Sequence, residues 1–79
     1  MSHYYFDVCN GFDVSDSVGL DLADDNAALH HARSVVAKYA SDPHNLASSG
    51  HIVVTVRTGP TTVLTTTRLV FQEDLPAVA

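Results

Sequence analysis

The sequence of 79 residues is poor in cysteine, in basic residues and in long hydrophobic runs, and each shortage excludes a class of protein. A single cysteine, Cys9, excludes an intramolecular disulfide and any zinc site built from several cysteines. Four lysines and arginines against nine acidic residues provide no basic patch, so direct nucleic-acid binding is not expected. No run approaches the ~20 apolar residues of a membrane span, and the N-terminus has no signal-peptide pattern, which favours a cytoplasmic protein.

The apolar content is nevertheless high enough for a folded domain. Hydrophobic residues make up 46% of the chain and charged residues 16%, which is unlike the composition of a disordered protein. A chain of this length has room for one hydrophobic core only. We therefore predict a single small α+β domain over residues 1–79, with a frayed tail at residues 73–79.

The stretch from Asp24 to Ala40 has the clearest periodicity in the sequence. Its apolar residues recur at the 3.6-residue period of an α-helix and fall on one side of it. Asp24 suits the N-cap position and Pro43 lies just beyond the end, so we predict a helix over about 24–40. The apolar stripe consists of Ala28, Leu29, Ala32, Val35, Val36, Tyr39 and Ala40.

Strand patterns flank this helix on both sides. Residues 3–9 alternate in the manner of a half-buried strand and are followed by an Asn10-Gly11 turn. Residues 12–17 are mostly polar and loop-like, with room for the start of a second strand, and residues 18–22 alternate as a short strand that leads into the helix. Residues 51–58 and 61–72 are rich in β-branched residues. This order predicts a ββαββ fold of the α+β class, a four-stranded and mostly antiparallel sheet with one helix packed on one face.

The turn at Gly59-Pro60 predicts the register of the last two strands. A proline at the second position of a tight turn would pair the strands symmetrically about it. A slip by one residue is the alternative, and it would exchange the two faces of the last strand. Residues 41–50 are predicted to be a plain connection. The favoured register pairs Val56 with Thr65, Val54 with Thr67 and Ile52 with Leu69.

One helix is too narrow to cover a four-stranded sheet, so the other sheet face is the candidate functional surface. On the favoured register that face carries apolar side chains that a lone molecule would leave in water. We predict that it binds a second copy of the chain or another small protein, as a homodimer or an accessory subunit. The predicted contact residues are Tyr5, Cys9, Val53, Leu64 and Val70.

Residues 3–40 also carry a series of short motifs in a defined order. An aromatic strand ending in Asp precedes a Gly four residues later, then Asp-x-x-Gly and an alanine-rich helix opened by Asp. The residues concerned are Tyr4-Tyr5-Phe6-Asp7, Gly11, Asp16, Gly19, Leu22, Asp24, Ala27, Ala28 and Ala32. This pattern resembles small bacterial proteins grouped only as a domain of unknown function. The chain departs from them at Thr58-Gly59-Pro60-Thr61, where that family has an acidic turn ending in Gly.

The resemblance implies a small cytoplasmic protein of ββαββ type with no established activity, and it supplies no catalytic residues. A more distant similarity, of fold alone, is to HicB-like antitoxins, which begin with a strand, a glycine turn, further strands and an alanine-rich helix. Those domains bind a small toxin. The similarity therefore gives an alternative function, in which this acidic chain binds and neutralises a small basic partner protein.

No pattern in the sequence indicates catalysis, a metal or a cofactor. His30 and His31 are adjacent on the predicted helix, so their side chains diverge by about 100° and cannot hold one metal together. Cys9 has no base placed beside it and is expected to be a small apolar filler. The other histidines have no partner at a ligand spacing: His3, His44 and His51. We therefore expect a protein that is not an enzyme.

Asp7 is the most unusual polar residue of the strand patterns. An acidic residue inside an aromatic strand opposes the β-propensity of its neighbours. We expect its carboxylate either to face solvent or to accept hydrogen bonds that shape the Asn10-Gly11 turn.

Overall fold

The computed structural model describes residues 1–76, apart from the side chain of Ser48. In this part of the chain, antiparallel strands form one sheet and helices pack against it, which confirms the α+β class. The strands are β1 (Ser2–Cys9), β2 (Asp13–Val14), β3 (Leu20–Leu22), β4 (His51–Arg57) and β5 (Val63–Val70), and the helices are α1 (Asp25–Ala40) and α2 (Pro43–Ser49).

The sheet has β1 and β4 at its centre. Its order is β2-β1-β4-β5. Two short strands share the outer edge of β1: β3 pairs with the N-terminal half of β1, and β2 pairs with its C-terminal half. The ββαββ order is therefore roughly right. Residues 12–22, however, form two short strands, so the sheet described has five strands where four were predicted.

Helix α1 lies close to its predicted bounds. Asp24 is its N-cap, and the Asp24 carboxylate accepts a hydrogen bond of 2.9 Å from the backbone amide of Ala27. Ala28, Ala32 and Val36 of the predicted stripe are buried against the sheet, and three further members pack beside the core: Val35, Tyr39 and Ala40. Leu29 is half-buried.

The segment predicted to be a plain connection contains the short helix α2, so that prediction was wrong. The Asp42 carboxylate caps α2 by accepting a hydrogen bond of 3.0 Å from the backbone amide two residues further on, and Pro43 occupies the first turn. Gly50 follows with a φ of 77°, the left-handed conformation that commonly ends a helix. An Asp-Pro pair after a helix can therefore start the next one.

The pairing of β4 with β5 confirms the favoured register, including Val56 opposite Thr65. A bulge follows at this point, and Arg57 pairs with Val63. The extra residue is Leu64, which was predicted to lie on the face away from the helix. Leu64 instead packs against the core, because a bulge redirects the side chain of the inserted residue.

The hydrophobic core lies between α1 and one face of the sheet. It consists of alternate residues of β1 and β4 together with small residues of α1, and Leu46 of α2 packs against it. Burial of the apolar side chains on both strands supplies most of the stabilisation of so small a domain. The buried residues are Tyr4, Phe6, Val8, Ala28, Ala32, Val36, Ile52, Val54 and Val56.

The chain continues beyond β5 without regular structure from residue 71 to residue 76. The predicted frayed tail, residues 73–79, falls partly outside the described residues. Neither helix in the part of the chain described has the length and hydrophobicity needed to cross a lipid bilayer.

Candidate functional site

The face of the sheet opposite α1, referred to below as the open face, lies away from the core. Opposed residues of antiparallel strands project to the same side, so the pairings identify its members. The open face comprises Tyr5, Asp7, Cys9, Asp13, His51, Val53, Thr55, Arg57, Val63, Thr66, Arg68 and Val70.

Four of the five predicted contact residues lie on the open face, and Leu64 does not. Val70 is 64% exposed, whereas the others are half-buried among their neighbours on β1 and β4. Val63 takes the place predicted for Leu64 and is 54% exposed. No local pattern in the sequence indicates this exchange, since it depends on the bulge between β4 and β5.

Arg57 connects the open face to the loop between β2 and β3. Its Nε and Nη2 atoms donate to the Asp7 carboxylate at 2.6 and 3.1 Å. Nη2 also donates to the Asp16 carbonyl at 2.9 Å, and Nη1 donates to the Gly59 carbonyl at 3.0 Å. The guanidinium carbon lies 5.0 Å from the ring centroid of Tyr5. All but one of the N–H groups of Arg57 are used in these bonds, so it has little capacity to bind an external anion.

Asp7 holds the same loop from the β1 side. Its carboxylate accepts a hydrogen bond of 2.8 Å from the backbone amide of Asp16. The hydrogen bonds from Arg57 lower the pKa of Asp7, and they outweigh burial, which acts in the opposite direction. Asp7 therefore fixes the β2–β3 loop, which corrects the predicted role at the Asn10-Gly11 turn.

Asp16 fills a gap in the hydrogen bonding of β1. The outer edge of β1 pairs with β3 at Ser2–Tyr4 and with β2 at Val8–Cys9, which leaves Phe6 between the two short strands. One Asp16 carboxylate oxygen accepts a hydrogen bond of 3.0 Å from the Phe6 amide. Without it, the backbone N–H of this buried residue would lose its partner.

The other carboxylate oxygen of Asp16 organises its own loop. It accepts hydrogen bonds from the backbone amides of Val18 and Gly19 at 3.0 and 2.9 Å. Burial by itself raises the pKa of Asp16, but the amides of Gly19, Phe6 and Val18 outweigh it, so the pKa lies below the usual value. These hydrogen bonds therefore stabilise the ionised form of Asp16, and its carboxylate connects the β2–β3 loop to β1.

His3 contacts the other end of this loop. Its Nε2 atom lies 2.8 Å from the Val18 carbonyl and its Nδ1 atom 2.6 Å from the Asp21 carboxylate. Both neighbours accept hydrogen bonds only, so both ring nitrogens must donate, which favours the imidazolium. The bond to Asp21, with a smaller effect of the Val18 carbonyl, raises the pKa of His3. The sequence pattern had left His3 without a partner.

The polar groups of the site thus form a junction that is hydrogen-bonded within the chain. It lies beside a sheet face that neither helix covers. Asp7, Asp16 and Arg57 direct their polar atoms at one another and at backbone groups. Cys9 is half-buried on the open face. Among residues 1–76, no three acidic, histidine or cysteine side chains converge in a way that could hold a metal.

Comparison with known families identifies the source of the motifs. A family model described as Domain of unknown function (DUF6894) matches residues 3–70, a span that runs from β1 to the end of β5. Comparisons with curated proteins and with solved structures found no match. The resemblance of residues 3–40 to a domain of unknown function is confirmed, and it extends through the C-terminal hairpin. The chain belongs to the DUF6894 family.

Proposed function

We propose that this chain is a non-enzymatic protein-interaction module, which works through the open face as a homodimer or an accessory subunit. One observation carries the proposal. The sheet face opposite α1 has no cover from either helix, and Val63 and Val70 leave more than half of their surface exposed along β5. Exposed apolar groups on an ordered sheet face favour contact with another protein.

The hydrogen-bonded junction formed by Asp7, Asp16 and Arg57 supports this proposal, because its polar groups already have partners within the chain. Asp7 and Asp16 bind backbone amides, and Arg57 binds both aspartates. A catalytic acid, base or anion site needs groups that are free to meet a substrate, and these groups already have partners. We infer that the junction shapes the sheet edge, while the open face makes the contacts outside the chain.

The free edge of β5 adds to the same surface. The Phe71 amide donates to the Gly50 carbonyl at 2.7 Å, so alternation along the strand directs the backbone groups of Thr66, Arg68 and Val70 away from β4. An uncovered strand edge is a template for pairing with another chain. It lies directly beside the most exposed part of the open face.

A second candidate is a HicB-like antitoxin or regulator, and the distribution of charge favours it. Exposed carboxylates lie on β3 and at the adjoining start of α1, at Asp21, Asp24 and Asp25. Such an edge is complementary to a small basic protein. Co-purification of a small basic protein encoded beside the gene, lost when these aspartates are neutralised, would support this function over self-association.

A matched pair of substitutions tests the open face. V70E places a charge in the proposed interface, whereas V18E makes the same change at a loop residue that is 79% exposed. We expect V70E to weaken self-association at least about tenfold, because a carboxylate there must lose its water, and V18E to leave it unchanged. Sedimentation velocity at micromolar concentrations measures both. Equal behaviour of the two variants would contradict the proposal.

A further inference from the structure

Four residues of the open face lie side by side across the sheet and are referred to below as the charge row. Asp13 is opposite Cys9, Cys9 is opposite Val53, and Val53 is opposite Arg68. The charge row therefore runs from an exposed carboxylate on β2, over two half-buried apolar side chains, to an exposed guanidinium on β5.

The two charges at the ends of the charge row cannot pair within one chain. Neighbouring strands lie about 4.8 Å apart, so three strand spacings separate Asp13 from Arg68 by about 14 Å. In the part of the chain described, the ion pairs are those of His3 with Asp21 and of Arg57 with Asp7. Both ends of the charge row are therefore available to another molecule.

We propose that the open face binds a second copy of this chain about a two-fold axis that is parallel to the strands and passes between β1 and β4. This inference rests on the proposed function and specifies its partner. The rotation lays β5 of each copy over β2 of the other. Asp13 then meets Arg68 of the second copy at both ends, and Cys9 meets Val53 in the middle. The charge row is its own complement, as an interface between identical surfaces requires.

The spacing of stacked sheets is compatible with this contact. Sheets that pack face to face lie about 10 Å apart with their strands within about 30° of each other. An arginine from one sheet spans most of that gap and reaches an aspartate on the other. The apolar centre and charged ends match the usual arrangement of an interface, in which a polar rim surrounds an apolar core.

Other two-fold arrangements bring like charges together. An axis across the strands, placed at the charge row, stacks β5 on β5 and sets Arg68 against its own copy. Side-by-side pairing of two β5 edges also places both copies of Arg68 along one seam. Like charges directly opposite each other are destabilising. Charge thus selects the axis parallel to the strands.

A charge-exchange experiment tests the arrangement. D13R and R68D each place like charges at both ends of the proposed interface, so each variant alone should dimerise roughly 100-fold more weakly than the unmodified chain. An equal mixture of the two variants restores opposite charges at both ends, so a heterodimer should form. The doubly substituted chain, D13R/R68D, should dimerise by itself. R33D, the same substitution on the exposed side of α1, should have no effect.

Sedimentation velocity at low salt provides the readout, and circular dichroism checks that each variant is folded. If one single variant fails to fold, the doubly substituted chain still tests the charge pairing. Single variants that dimerise as strongly as the unmodified chain, or a mixture that stays monomeric, would overturn the two-fold arrangement. Neither result would contradict the proposed function. An unmodified chain that is monomeric at these concentrations would overturn the two-fold arrangement and the homodimer, and would leave the accessory subunit as the form of the proposed function.

Discussion

Replacing Asp16 with alanine is expected to lower the free energy of unfolding by about 2–4 kcal/mol. The carboxylate accepts hydrogen bonds from three backbone amides, and the amide of Phe6 belongs to a buried core residue. A domain of this length has only ~3–5 kcal/mol of net stability from its core, so D16A should lose most of it. Thermal unfolding at one fixed protein concentration should show a midpoint lower by about 10–20 °C.

The same variant should also change the response to acid. The pKa of Asp16 in the folded chain lies below its usual 3.8, so its contribution is complete above that pH and disappears as the pH falls through the folded value. D16A should therefore lose less stability than the unmodified chain on acidification below about pH 4. D21A is the control, because the Asp21 pair with His3 is exposed to solvent and should contribute little to stability. Equal losses in D16A and D21A would contradict this account.

Replacing Gly19 with alanine is expected to cost about 2–4 kcal/mol as well, for a steric reason. Gly19 has a φ of 74°, a conformation that side-chain-bearing residues rarely adopt. A Cβ atom there would clash with the ring of His3 and lie 2.7 Å from the Tyr4 carbonyl oxygen, which belongs to the buried strand β1. His3 can turn away, but the carbonyl cannot move without breaking the pairing of β1 with β3. Chemical denaturation measures the loss.

Gly59 provides the matched control for Gly19. A Cβ atom added at Gly59 would have its nearest neighbour, the Thr62 hydroxyl, at 3.9 Å, which is ordinary contact. G59A should therefore stay within about 0.5 kcal/mol of the unmodified chain. A G19A variant as stable as G59A would show that the loop between β2 and β3 can move away from β1.

The elements that the sequence predicts well are those with a strong local signal. The helix repeats its apolar residues over four turns from a single N-cap, Asp24, and this is enough to locate α1. The register of β4 and β5 follows from the Gly59-Pro60 turn and from alternation on both sides of it. The resemblance of the N-terminal motifs to a family of unknown function likewise follows from the order and spacing of the motif residues along the chain.

The elements that sequence reasoning missed depend on contacts between distant residues or on ambiguous signals. Asp7 and Arg57 are 50 positions apart, so nothing local in the sequence joins them. The bulge that turns Leu64 toward the core is a property of two paired strands rather than of one. Pro43 predicts an end to α1, but Asp42 before it and Gly50 after α2 are also the start and stop signals of a further helix.

The motif residues and the open face therefore have different roles in this account. Asp16 and Gly19 hold a loop against β1, and Asp7 holds the same loop to Arg57 on β4. Variants of these residues should affect folding first and binding only as a result. Variants of the exposed open-face residues should affect binding with little change in the stability of the single chain.

The central claim is that the open face contacts a second copy of the chain, and an isotope-filtered nuclear Overhauser experiment tests it most directly. An equal mixture of labelled and unlabelled chain at millimolar concentration reports only contacts between copies. We predict contacts between the methyl groups of Val53 in one copy and Cys9 in the other, together with contacts from Val70. A spectrum without contacts between copies, or with contacts confined to the exposed side of α1, would contradict the account.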